Sequence, residues 1–599
     1  LYTHASRGKG EFEQAKTLLQ QQKFGEATKH LRSGVDAFSE AHTAVGKLGG
    51  LQVLPLVGRQ VKAVDSVLQV GVQAGSALVT LVGVAERVTA PLQRDSTTNF
   101  ASISIEEKRL ILETIAEGQP DIQGAKAQMD LAVQYLNAIP KHGLVGPLAG
   151  AIRPLREQLP LLDHVLEKAI PAVQVLPGIL GYPDQRSYLF LLQNNTELRP
   201  TGGFIGTYGS VTFSNAEITS FTTHNVYALD NPARDRILSK PPAPLQKYLN
   251  ADRWFFRDSN WSPDFPTSAQ EALKSYDRES ETKGAFDGVI AVTPTFISDL
   301  MKVTGNITID GTTFTPDNLI DVLEYSVERG YINQGISDND RKQVIGTLAQ
   351  ELFQRFLTLP HDRWSDVWKA LTENVSEKQV LMYLNDPSEE SFVLDLGWAG
   401  EMRQTDGDFL MIVDANLASL KSDPGVKRSI HYIVVPDGDK LKATLTMRYS
   451  NEGTFNWKST RYRTFVRFYV PQGSTLVFAS GFLTNDKLQN GKPTQPSVED
   501  ELGKTVISGF TSIEPKDSLD ITVTYTLPDS LAERLRTGTY SLLIQKQPGT
   551  EAHGLSLDIT AEKPIQSYSP AEQGKADGNT VHFSTDLSQD RLFYAAFRQ

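Results

Sequence analysis

Four basic positions stand out by where they fall. Arg199 lies in "LLQNNTELRPTGGFIGTYGS", an apolar strand pattern that breaks at Arg199-Pro200 and resumes after Thr201-Gly202-Gly203. Arg257 stands beside Asp258 in "WFFRDSNWSPDF", Arg329 ends one helical pattern, and Arg341-Lys342 opens the next. Guanidinium groups at element ends suit planar, bidentate recognition of an oxyanion such as phosphate. A basic pair in the first turn of a helix opposes the helix dipole by about 0.3–1 kcal/mol, so it calls for an anion nearby. Two sources are open: the neighbouring Asp338 and Asp340, or a phosphate met by the helix amide groups. Gly202 and Gly203 either let the backbone approach that ligand closely or form a bulge around a structural arginine.

The acids near these positions have two readings as well. Asp258 and Asp264 could act as base or hold a magnesium ion through oxygen ligands. Equally, Asp258 could cap the turn through Asn260, and Asp264 before Phe265-Pro266 stands in a common turn context. Trp254, Phe255, Phe256 and Trp261 are read as core in preference to a groove lining. Other chemistries find no support. The sequence contains no HExxH, Walker loop or dinucleotide fingerprint. Without cysteine there is no disulfide framework, thiolate metal site or cysteine nucleophile. A net charge of -12 argues against a general nucleic-acid partner.

The elements that must position these residues fall into three regions, as a chain of 599 residues requires. Residues 1–182 read as a helical bundle or stalk: Phe12, Ala15, Leu18 and Leu19 share one face, and "KFGEA" marks a helix-pair elbow. Within it, Ser66–Ala85 is uncharged, with Gly71 and Gly75 at close-packing spacing. It reads as a tightly packed soluble helix, with a membrane span as the alternative. "AVQVLPGILGYPDQRS" reads as the linker leaving this region. Residues 183–402 alternate strand and helix signals, which predicts a sheet with covering helices. They include a hairpin turning at Ser214-Asn215, a helix capped by Thr267 or Ser268, and a strand Gly288–Val292 running into a helix that ends at Gly305. Residues 403–599 lose the helical period. Short alternating strands, one pair turning about Pro436-Asp437-Gly438, predict an immunoglobulin-like β-sandwich. The fold class is therefore multidomain α+β.

"LLQNNTELRPTGGFIGTYG", "RDSNWSPDFPTSA", "FDGVIAVTP" and "GWAGEMRQTDGDFLMIVDANLASLKSDPGVKRSIHY" resemble a bacterial envelope family catalogued as a domain of unknown function, DUF4012, over about 188–432. That resemblance implies an extracytoplasmic body anchored by an N-terminal membrane helix absent from this chain. A more distant resemblance is to the LytR-CpsA-Psr proteins. "FDGVIAVTPTFISDLMKVTGNITIDG" is similar to a strand and helix of that family, "YSVERGYINQGISDNDRKQ" to its later arginine motif, and "FRDS" to its "PRDT". On this resemblance Arg329, Asp340, Arg341 and Gln343 occupy motif positions. The implied central fold is LytR-CpsA-Psr-like, and the implied activity moves a glycopolymer from a polyprenyl-pyrophosphate carrier to the cell wall.

The implied mechanism is attack of a sugar hydroxyl on phosphorus with polyprenyl phosphate leaving. Arg199, Arg257, Arg329 and Arg341, with Gly202, Gly203, Asp340, Lys342 and Gln343, would hold the substrate. Asp258, Asp264 and Arg341 would be catalytic, and Asp258 and Asp264 would hold magnesium. Two departures weigh against it: Arg199 is followed by Pro200-Thr201 where that family carries an acid, and Lys342-Gln343 stand closer to Arg341 than its second basic residue does. The alternatives are a non-catalytic envelope protein that binds polymers or assembles at the surface, and a hydrolase of phosphate esters or pyrophosphate.

Overall fold

The computed structural model describes residues 1–47, 57–90, 99–333, 335–337, 341–360 and 363–598. The chain is multidomain, with a helical N-terminal region and a β-rich C-terminal region. Helices Tyr2–Gln20 and Phe24–Gly46 form the expected elbow pair and pack on the long helix Val57–Thr89. That helix is long and apolar enough to cross a membrane, yet Gly71 and Gly75 serve packing within this chain. A Cβ on Gly71 would lie 2.8 Å from the Phe38 ring, and one on Gly75 would lie 2.4 Å from the Phe12 ring.

The region does not end in a linker. Helix Gly146–Ile179 runs through Pro171 and Pro177, and Val175 and Ile179 pack with Tyr188, Met382 and Val393 against one face of the central sheet. Burial of this apolar stripe outweighs the hydrogen bonds that the prolines remove.

The central sheet has five strands in the order Glu217–Asn225, Phe204–Ser214, Arg186–Asn194, Gly288–Val292, Val380–Leu384. Arg186–Asn194 and Gly288–Val292 run parallel, and the other neighbours are antiparallel. Side chains alternate between its faces. Leu189 and Leu191 point to the layer of helix Phe265–Glu279, with Phe256, Phe265 and Ala269, while Tyr188 faces Ile179. The expected hairpin turns at Asn215-Ala216, both at positive φ. The broken strand of the sequence is also a hairpin: after Asn194 the chain reverses and returns antiparallel from Phe204.

In the C-terminal region, two seven-stranded sheets enclose one core. Strands Asp408–Asn416 and Thr539–Gln545 pair in parallel in one sheet, and Val426–Asp437 and Gly554–Thr560 do so in the other. These two parallel seams join a first group of strands, Asp408–Thr526, to a second, Thr539–Phe597, so one sandwich of double width results.

The loop between the central hairpin strands is the seam between regions. Leu198 N–H donates to Asp423 Oδ2 at 3.0 Å, Asn416 N–H to the Leu198 carbonyl at 2.9 Å, and Gln547 Nε2 to the Arg199 carbonyl at 3.1 Å. The interruption thus docks the sheet onto the sandwich.

Candidate functional site

A cleft of about 710 Å³ opens beyond the carboxyl ends of the two parallel central strands, where open α/β sheets place their ligands. Leu192 and Asn194 come from the first strand, Gly206 and Thr207 from the returning strand, and Pro294 from the helix after the second. Glu324, Val327 and Glu328 come from helix Leu319–Tyr325 and the π-helical turn Ser326–Gly330 that continues it. Such turns re-aim side chains and recur at functional sites. Lys421, from the C-terminal region, closes one wall.

Three of the four arginines singled out in the sequence, Arg199, Arg257 and Arg341, line this one cleft although they are far apart in the chain. Each also has a carboxylate partner. Arg199 is buried and reaches Glu197 at 3.0 Å and the Asn416 carbonyl. Arg257 donates to Asp230 at 2.7 Å, and Arg341 to Glu328 at 3.0 Å. Lys421 pairs with Glu197 at 2.9 Å. Burial works against ionisation of Glu197, but Lys421 and Arg199 together hold its carboxyl below the usual range.

Lys342 is different. It is buried in the cleft wall, donates to the Gly206 carbonyl, and makes no ion pair among the described residues. Burial, then repulsion from Arg341 and Lys421, pushes its ammonium down to about 7. An ammonium offers three donors, and the Gly206 carbonyl takes one. Its ammonium also lies 5.5 Å from the Tyr227 ring, and the Glu328 and Glu197 carboxylates attract it without pairing with it. Behind Arg257 lies a second unusual group. Asp230 and Glu279 are both buried, and Asp230 acts on the Glu279 carboxyl. Burial and the Asp230 carboxylate push Glu279 up to about 9. Burial likewise raises Asp258, against the attraction of Arg257 and Arg199.

Several sequence-predicted residues lie elsewhere. Asp264 is the N-cap of helix Phe265–Glu279, a role expected of Thr267 or Ser268. It accepts from Thr267 N–H at 3.1 Å and from Met402 N–H at 2.9 Å, away from the cleft lining. Arg329 is also outside the lining, 5.9 Å from the Trp457 ring. Gly202 has φ +140, and a Cβ on Gly203 would lie 2.2 Å from Asn194 backbone, so the seam loop itself requires glycine at both positions. Gln343 begins helix Gln343–Leu357 outside the lining, and Asp340 lies outside the described residues. Asp264 is committed to a helix cap outside the cleft lining, whereas Asp258 lies within that lining. Of the aromatic set, Phe255 and Phe256 are core.

Sequence reading missed Glu197, Glu324, Glu328 and Lys421. Glu197 had a signal, two residues before Arg199 inside the same broken strand. Glu324 and Glu328, four residues apart on one helical face, look like exposed acids until the packing of that face toward the cleft is known. Lys421 sits well beyond the central strands, and only the docking of the sandwich delivers it.

Residues 184–327 match a protein family described as "Protein of unknown function (DUF4012)". The matched segment includes Arg199, Arg257, Asp258 and Glu324, and stops before Arg341, Lys342 and Lys421. No curated protein matches the chain.

Proposed function

We propose that this is an envelope protein whose central cleft binds the phosphate-bearing end of a carrier-linked glycopolymer, such as a polyprenyl-pyrophosphate glycan. The observation that carries the reading is Lys342, a buried cation without an ion-pair partner among the described residues, facing a cleft that also presents Arg257, Arg341 and Lys421. A bound oxyanion would supply the missing counter-charge and accept the unused ammonium donors. The extracytoplasmic setting draws on the family resemblance, and the apolar helix Val57–Thr89 is compatible with a membrane-proximal position. A LytR-CpsA-Psr-like central domain and an immunoglobulin-like sandwich belong to the same proposal.

Binding without chemistry fits the cleft better than metal-assisted transfer, because Asp264 is a helix cap and the arginines are neutralised by neighbours. Transfer remains the second reading, favoured by Lys342, whose neutral amine near pH 7 is a base for a sugar hydroxyl.

The test is titration with dimethyl pyrophosphate, in which each phosphorus carries one methyl ester, as in a carrier linkage. The protein should bind it, more weakly as salt rises, and Lys342→Met should weaken binding about tenfold or more, the loss of a charge-assisted hydrogen bond. Absence of binding by a folded protein would refute the proposal. Product formed from a lipid-linked donor and a sugar hydroxyl acceptor would establish transfer, and product formed with water alone would establish hydrolysis.

A further inference from the structure

Beside the cleft the surface carries an aromatic shelf that the phosphate-binding reading does not use. Tyr325, Phe455 and Trp457 expose 49%, 62% and 38% of their surface. Tyr325 and Trp457 meet edge to face, with centroids 6.2 Å apart. Arg329 lies 5.9 Å from the Trp457 ring and Arg461 5.7 Å from the Phe455 ring.

The shelf is tied to elements that line the cleft. Tyr325 directly follows Glu324, a cleft residue. The loop bearing Phe455 and Trp457 is tied to the cleft's helix by the Lys458–Asp321 ion pair. It is tied to the cleft's C-terminal wall by Lys421 N–H, which donates to the Lys458 carbonyl at 2.7 Å. Asn456 and Asp321 add polar groups around it, and Arg461 is held by Glu514 at 2.9 Å. Exposed aromatic rings in contact with one another, as Tyr325 and Trp457 are, form the kind of apolar patch that marks a binding surface. A lipid chain or an amphipathic helix would ask for a broad apolar face. Small aromatic faces interleaved with hydrogen-bonding groups instead match a pyranose ring, which offers an apolar C–H face and a rim of hydroxyl groups.

We infer that Tyr325, Trp457 and Phe455 form a saccharide subsite, which receives the sugar attached to the phosphate group held in the cleft. The inference rests on the cleft reading for its geometry, but its test separates the two. Three probes are used on the intact chain: dimethyl pyrophosphate, N-acetylglucosaminyl methyl pyrophosphate, and the neutral tetrasaccharide chitotetraose. The sugar-bearing pyrophosphate should bind at least fivefold more tightly than dimethyl pyrophosphate. Trp457→Ala should abolish that advantage and chitotetraose binding while leaving dimethyl pyrophosphate unchanged, and Trp457→Phe should retain most of both. Tyr325→Ala, on a separate element, should reproduce the loss, which guards against local misfolding of the 455–461 loop. If dimethyl pyrophosphate fails to bind while chitotetraose binds through Trp457, the cleft reading falls and the subsite stands. Chitotetraose and sugar-pyrophosphate affinities that ignore both substitutions, or that fall together with dimethyl pyrophosphate, would overturn the subsite.

Discussion

Two buried ionisable groups near Arg257 and Lys342 give the residue scale its pH behaviour. Lys342 titrates near 7 in the fold and near 10.4 in an unfolded chain. Between these values the unfolded state binds more protons, so this residue makes stability rise with pH from about 7 to about 10. Glu279 has the opposite sign: it titrates at about 9 in the fold against 4.5. The folded state holds the extra proton, so its contribution is full below about 4.5 and lost as pH rises through about 9. Denaturant unfolding of Lys342→Met and Glu279→Gln against the parent should show each slope removed separately. Glu279→Gln should gain on the parent as pH rises from 5 to 9, because the amide keeps a donor toward Asp230. Asp264 provides the control. As a helix cap, Asp264→Ala should cost about 1 kcal/mol of stability and leave pyrophosphate affinity unchanged, whereas a fall in affinity without loss of stability would return Asp264 to the site.

At the scale of elements, the seam loop is the feature that most of the site depends on. Gly549 has φ +74, and a Cβ there would lie 2.1 Å from the Gly202 carbonyl oxygen. Gly549→Ala should therefore destabilise the chain by more than about 1 kcal/mol. Since the seam holds Lys421 at the cleft, pyrophosphate affinity should fall with it; calorimetric unfolding and titration of the same variant check both. Much of this architecture was legible in the sequence. The hairpin expected at Ser214-Asn215 and found one residue later, the strand Gly288–Val292 with its helix ending before Gly305, and the hairpin after Asp437 follow from turn chemistry and period. The seam was not, because a broken apolar strand and a β-hairpin look alike when the turn residues also carry an arginine. The cap on helix Phe265–Glu279 was expected at Thr267 or Ser268 and lies at Asp264, in keeping with the turn context that the sequence also offered for that residue. Convergence of Arg199, Arg257 and Arg341 was readable from their element-end positions. Of their carboxylate partners Glu197 had a local signal, whereas Asp230 and Glu328 meet Arg257 and Arg341 only through tertiary packing.

At the scale of the whole molecule, a helical region packs its last turns on one face of the central sheet, and a double-width sandwich supplies Lys421 and the aromatic loop at the cleft. The cleft is thus built from two regions, and a truncation that removes the sandwich should abolish binding even if the sheet stays folded. The central claim is that a buried, uncompensated lysine awaits an oxyanion. An anion seated beside Lys342 would raise its proton affinity, so binding above pH 7 must take up a proton. Dimethyl pyrophosphate does not itself titrate near neutrality, so calorimetric titration at pH 8 in buffers of different ionisation enthalpy reads that proton directly. The account predicts uptake approaching one proton per ligand by the parent protein, affinity that falls as pH rises above 7, and neither effect in Lys342→Met. Tight binding with no proton uptake, unchanged by that substitution, would contradict it.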